Sequence, residues 1–195
     1  MPDVIRDGSG KGFLAKVNSD NQLITRATTV QQRLASTIDN RYFEATTGKI
    51  TLSDAVETGL FYIKNISTIT SDVIVIDRVF VDIWSSTAGT GNDGDIKYYI
   101  NPTVTGGSAA TVTNTKFNST TSLEATVLKS VTSIDTGTVW WTGYITDKQA
   151  MVIEEGRIVI PPGSSFAISI TAPTSNTNMD ISINVAMFVL DINLI

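Results

Sequence analysis

From Tyr42 onward, apolar and polar residues alternate in short runs bounded by Gly, Asn, Asp or Ser, the period-two pattern of half-buried strands. Tyr42–Thr46 and Lys49–Ser53 flank Thr47-Gly48, and Gly59–Lys64 sets Leu60 and Tyr62 against Phe61 and Ile63. The longest run, Val73 to Trp84, places Val73, Val75, Asp77, Val79, Val81 and Ile83 on one side and Ile74, Ile76, Arg78, Phe80, Asp82 and Trp84 on the other. Apolar content on both sides predicts a central strand partly covered on both faces, and the mid-strand pair Asp77-Arg78 marks either a bulge or an edge facing a neighbour. Further strands are predicted at Asp95–Asn101, ended by Pro102, and at Leu123–Ser130, Val139–Thr146, Arg157–Ile160, Ser165–Thr171 and Asp180–Leu190. Residues 103–122, rich in Thr, Ser, Gly and Asn, read as a long surface loop with at most one edge strand. The strand count fits an all-β, antiparallel β-sandwich of the jelly-roll kind over residues 41–195.

Residues 1–40 read as an extended N-terminal arm. The glycine run Asp7-Gly8-Ser9-Gly10-Lys11-Gly12 precedes Phe13–Val17, a turn at Asn18–Asn21, and a second short strand at Gln22–Arg26. With so few apolar residues this piece cannot build a core alone, so it must lie on its own domain or on another subunit. Between Thr28 and Asp39, Val30, Leu34 and Ile38 fall four apart, and Thr28 with Gln31 has capping-box spacing. That stripe is one residue wide, and a short helix over 28–39 and an extended connector both fit it.

Composition narrows the chemistry. Thr, Val and Ile make up about a third of the 195 residues, favouring pleated surfaces. There is no Cys, which excludes disulfides, thiol nucleophiles and thiolate metal sites. There is no His either, which removes the usual general base and the commonest metal ligand. No catalytic residues, metal or cofactor are therefore expected. The net charge of −5 argues against a nucleic-acid binder. Residues 1–50 carry seven Lys or Arg against five acids, while the rest carry seven against fourteen, an asymmetry that suits an arm lying on an acidic partner and that chance also produces. Met1-Pro2-Asp3-Val4-Ile5-Arg6 lacks the apolar core of a signal peptide, and no run reaches the ~18 apolar residues of a membrane span, so a soluble product made in the cytosol is expected.

The N-terminal stretch from Asp7 through Lys16-Val17-Asn18 to Leu23 and Arg26 resembles the opening of tailed-bacteriophage virion proteins of the capsid decoration or head-fibre type. The likeness continues through Thr47-Gly48-Lys49-Ile50-Thr51-Leu52 and Gly59–Asn65, about the first third of the chain. In addition, Ile158-Val159-Ile160-Pro161-Pro162-Gly163-Ser164-Ser165-Phe166 resembles the late hairpin of jelly-roll domains in viral capsid and fibre proteins. The resemblance implies a virion component with no catalytic residues, docked on the major capsid protein or another virion protein and self-associated, commonly as a trimer. It makes the arm the anchor, through Lys11, Phe13, Leu14, Lys16, Val17, Leu23 and Arg26.

Other candidates carry less. Asn92, Asp93 and Asp95 offer oxygen ligands to Ca²⁺, but the spacing is not that of an EF-hand and Asn-Asp-Gly is first a turn. Glu154-Glu155-Gly156-Arg157 reads as a solvated turn. Trp84, Trp140, Trp141 and Tyr144 suit either core and interface packing or a platform for sugar stacking in a carbohydrate- or receptor-binding module. Strand alternation predicts that Trp140 and Trp141 point to opposite faces. A glycan hydrolase needs two facing carboxylates, and the odd spacing of Asp77 and Asp82 puts them on opposite faces.

Overall fold

The computed structural model describes residues 5–6, 14–17, 23–24, 36–52, 56–86, 94–145, 149–172 and 179–194. The chain divides into two compact units, Met1–Gln31 and Gln32–Ile195. In the first, β1 (Ile5–Arg6), β2 (Leu14–Val17) and β3 (Leu23–Ile24) form a three-stranded antiparallel sheet in that order. The sequence pattern marks the second and third of these, whereas Ile5-Arg6 is too short to carry a period. Of the helix candidate, residues 36–38 form one helical turn, and 28–35 lie outside the described residues.

The second unit is a β-sandwich. Its strands are β4 (Tyr42–Thr46), β5 (Ile50–Leu52), β6 (Glu57–Asn65), β7 (Asp72–Ser86), β8 (Gly94–Ile100), β9 (Val104–Thr105), β10 (Ser108–Ala109), β11 (Thr111–Asn114), β12 (Ala125–Val131), β13 (Ser133–Ile134), β14 (Thr138–Ile145), β15 (Gln149–Ile160), β16 (Ser165–Thr171) and β17 (Met179–Asp191). One sheet runs β11-β4-β17-β7-β15, with β5 also on β17, and the other runs β10-β12-β6-β16-β8-β14. Every pairing within them is antiparallel. The core between the sheets gathers Phe43, Ile76 and Val185 from the first with Phe61, Phe166 and Ile168 from the second.

β4 and β5 behave as one interrupted strand, since both pair with β17. At the break the Thr47 N–H donates to the Ile183 carbonyl at 3.0 Å, and the Ile183 N–H donates to Thr47 Oγ1 at 2.9 Å. A hydroxyl thus stands in for a ladder carbonyl, which is how the buried backbone stays satisfied.

β7 is central, as predicted, and Asp77 is bulged: Ala186 pairs with Arg78 and Met187 with Ile76. The bulge resets the alternation. Ile74 and Ile76 before it and Val79, Val81 and Ile83 after it all face the core, while Val73 and Val75 join Tyr42, Ala186 and Phe188 in a second cluster on the other face. Strict alternation had put Ile74 and Val79 on different sides. Asp77 accepts a 2.7 Å hydrogen bond from the Tyr42 hydroxyl, so its carboxylate turns towards that outer cluster. The expected separation of Asp77 and Asp82 onto opposite faces therefore fails, because it counted through a bulge.

Three further expectations are corrected. Residues 103–122 hold three short strands, not at most one: β11 extends the first sheet beside β4, β10 caps the second beside β12, and β9 pairs with β13. Polar Thr and Ser on exposed edge strands carry no apolar alternation, so the pattern could not show them. Glu154–Arg157 is not a turn but an irregularity inside β15, between the Ile153–Arg78 and Ile158–Ile76 pairs. The Pro161-Pro162-Gly163 step is a tight turn, with the Ser164 N–H donating to the Pro161 carbonyl at 3.0 Å, yet its flanking strands do not pair. β15 lies in one sheet and β16 in the other, so the step is an arch across the sandwich, not a hairpin.

Candidate binding surface

The inserted strands close one side of the sandwich, because β11 and the β12-β10 pair each prolong a sheet there. On the opposite side the sheets end on β14 and β15. β14 carries Val139, Trp140, Trp141 and Tyr144, all exposed, with Tyr144 keeping 61% of its surface, Trp140 42% and Trp141 38%. A bulge explains the two tryptophans: Val139 pairs with Tyr99 and Trp141 with Tyr98, leaving Trp140 unpaired. Both indoles consequently approach the buried Tyr98 ring, Trp140 at 6.4 Å with planes 18° apart and Trp141 at 4.8 Å with planes 47° apart. The opposite-face expectation for Trp140 and Trp141 is overturned by that extra residue. Tyr98 in turn meets Phe166 edge-on at 5.3 Å, so the exposed pair is continuous with the core.

Between this edge and β15 runs a cleft of about 290 Å³, lined by Ile100, Trp140, Ile158, Val159, Pro161 and Phe166 among others. Its polar lining is Asn101, Arg157, Ser164 and Ser165, and two of these are engaged internally: Asn101 Oδ1 accepts from the Ser165 N–H at 3.2 Å, and Ser165 Oγ donates to the Pro102 carbonyl at 2.7 Å.

A polar cluster that the sequence does not announce sits on the other sheet surface. The Glu57 carboxylate accepts from Lys97 Nζ at 2.6 Å, from Ser169 Oγ at 2.7 Å and from the Tyr99 hydroxyl. Partial burial pushes the Glu57 carboxyl up, but the hydrogen bonds from Lys97, Ser169 and Tyr99 together outweigh it and hold the group below its ordinary value. The hydrogen bond to Glu57 raises Lys97 against the opposing effect of burial, and burial followed by the Glu57 hydrogen bond raises Tyr99. Ser169 is fully buried, so its hydroxyl is a tether and not a nucleophile open to substrate. The four residues come from β6, β8 and β16, and only the register of those three strands brings them together.

At one end of the sandwich, Phe117 keeps 95% of its surface. It occupies the second position of a turn closed by the Ser119 N–H on the Lys116 carbonyl at 3.1 Å, with Asn118 at φ 64°. Lys116 Nζ donates to the Ile38 carbonyl at 2.8 Å, which ties the turn to the start of the body.

Of the arm candidates, Leu14, Lys16 and Val17 lie on β2 and Leu23 on β3, while Lys11, Phe13 and Arg26 are outside the described residues. Trp84 belongs to β7, but its side chain is not among those described. Of the Ca²⁺ candidates, Asn92 and Asp93 lie outside the described residues, and Asp95 pairs with Tyr144 and Thr171 within its sheet. Among the described residues no group of three or more Asp or Glu is placed to hold a metal ion, and no helix is long and apolar enough to cross a membrane. No protein-family model matches the chain, and no curated protein matches it.

Proposed function

We propose that this chain is a structural protein of a tailed-bacteriophage virion, a capsid decoration or head-fibre protein whose body is a jelly roll. The observation that carries the reading is strand order. Counting β4 with β5 as one strand and setting aside the β9–β13 insertion leaves eight long strands, ordered 1-8-3-6 in one sheet and 2-7-4-5 in the other. Consecutive strands switch sheet at every step but 4 to 5, which supports the reading of a jelly roll, a body common in viral capsid and fibre proteins. In this reading the N-terminal unit docks on the major capsid protein or another virion protein, through Lys11, Phe13, Leu14, Lys16, Val17, Leu23 and Arg26. The body self-associates, as a trimer on the resemblance, and the chain resides in the virion without a catalytic role. The test is co-sedimentation with capsids lacking the protein: the full chain pellets with them and a chain lacking residues 1–26 stays in the supernatant. Equal pelleting of both would remove the docking role of that segment, and pelleting of neither would remove the virion reading.

A second reading, a carbohydrate- or receptor-binding module of a phage fibre, is favoured by the exposure of Trp140, Trp141 and Tyr144 on one strand. Saturable binding on a glycan array, lost in Trp140→Ala, would support it over the first.

A further inference from the structure

The two sides of the sandwich are built differently. One is closed by inserted strands, and the other stops at β14, which among the described residues pairs only with β8. Natural sheets guard such an edge with lysines, prolines, inward charges or a bulge that twists it away, and of these β14 has only the bulge. The segment Thr138–Ile145 reads TVWWTGYI, without lysine, proline or charge. Its one irregularity is the bulge at Trp140, and from Trp141 to Ile145 the ladder with β8 is regular. The outward N–H and C=O groups of that stretch therefore keep the spacing another antiparallel strand needs.

We infer that the β14 edge is a self-association surface, on which a second copy of this chain pairs its own β14. The inference rests on the reading of the chain as a self-associating structural protein and names the surface. Three observations choose this occupant. The first is area. Along β14, Val139, Trp140, Trp141 and Tyr144 keep 46%, 42%, 38% and 61% of their surface. At about 200 Å² for an aromatic side chain the three rings alone expose roughly 280 Å² per copy, about a third of the ~800 Å² each partner gives to a standard interface, and the paired backbone adds to it. The second is charge. A chain of net charge −5 repels its own copies over most of its surface, and an eight-residue strand without a charged side chain is where two copies meet at least electrostatic cost. The third is that two polar side chains beside Trp140 are already spent, Asn101 Oδ1 and Ser165 Oγ being hydrogen-bonded to the backbone of their own fold, which leaves fewer groups in the cleft to specify a sugar. A site selective for a glycan needs such groups pointing outwards.

The experiment is light scattering of the full chain across a concentration series, with Val139→Lys, Tyr144→Lys and, as a control at the end of the sandwich, Phe117→Lys. Val139 and Tyr144 are exposed, so lysine is accommodated without touching the core, and circular dichroism checks that both variants are folded. The expected result is a wild-type mass that is an even multiple of the chain mass, because antiparallel pairing of β14 with itself is a two-fold contact; an odd multiple, such as a trimer that pairs no further, overturns the inference. Each β14 variant should raise the dissociation constant by about tenfold or more, while Phe117→Lys leaves it unchanged. Amide hydrogen exchange on the wild type gives an independent reading: Trp141–Ile145 should be better protected at high than at low concentration. A single-chain mass at every concentration overturns the inference, as does a multiple that survives both β14 substitutions with no concentration-dependent protection. Capsid co-sedimentation is scored separately, so particles that bind a monomeric chain defeat this surface alone. A chain that self-associates through β14 but ignores capsids defeats only the virion reading.

Discussion

Trp141 lies directly over Gly143: a β-carbon built on the glycine would fall 2.1 Å from Cη2 of the indole. The two residues are neighbours on one face of β14, and the ring fills the space a side chain would need. Gly143→Ala is therefore expected to push the indole off its packing against Tyr98, at a cost of about 1–3 kcal/mol for overpacking. Thermal melting with tryptophan fluorescence checks it. The variant should melt earlier and its emission should shift to the red, and an unchanged spectrum would mean that the ring has another resting place.

Glu57 makes stability depend on pH at both ends of the scale. Its carboxyl is held below the ordinary value of 4.5, so the stabilisation is complete above that value and is lost as pH falls through the lowered one. Lys97 is held above 10.5, so its share is complete below that value and is lost as pH rises through the raised one. Lys97 and Glu57 keep 30% and 35% of their side-chain surface, so solvent still screens the pair and keeps the effect modest. Glu57→Gln should flatten both limbs of the stability profile measured by urea denaturation between acidic and strongly alkaline pH. A variant with the wild-type profile would show that other groups set it.

The residues that misled a reading of the sequence share one physical cause. Period-two alternation names faces only while the ladder is regular, and Asp77, Trp140 and Glu154–Arg157 each interrupt it. The strands of the body were legible because Val, Ile and Phe recur along them, and even the Asp77-Arg78 interruption was visible as a polar pair inside an apolar run. What a bulge does to later residues is not legible, so alternation assigns Val79, Val81 and Ile83 the same face as Val73, and the two tryptophans opposite ones. The Glu57 cluster was hidden for a different reason. The partners of Glu57 stand 40 to 112 positions from it, and no local spacing encodes the register that joins β6, β16 and β8.

Gly163 is the third residue of the arch between the sheets, with φ at 82°, and a β-carbon there would meet nothing within 4 Å. Space is therefore not what requires glycine. The type II turn needs a positive φ after Pro162, a conformation that costs an L residue roughly 1–2 kcal/mol. Gly163→Ala is expected to lower stability by that amount, and Gly163→Asn by less, because asparagine tolerates the left-handed region. Equal losses for the two in denaturant titrations would point to packing instead of backbone strain.

Asn65 joins the two sheets at the same end. It sits at the end of β6, buried, and its side-chain amide donates to the Asp72 carbonyl and to the Ile160 carbonyl, each at 3.0 Å. Both acceptors belong to the other sheet, at the start of β7 and the end of β15. Its Oδ1 accepts from the Ser67 N–H at 3.0 Å, and its backbone N–H and C=O engage Ser164 and Gly163 at the arch. One side chain thus satisfies three backbone groups from three segments, and no aliphatic residue can replace it without leaving carbonyls dry. Asn65→Ala should cost about 2–4 kcal/mol, the sum expected when buried acceptors lose their donors. Asn65→Asp, which presents lone pairs to those carbonyls in place of N–H groups, should cost at least as much at neutral pH. Chemical denaturation gives both numbers, and a loss below ~1 kcal/mol in the alanine variant would mean that water enters and bridges the carbonyls, leaving apolar packing alone to hold the sheets together there.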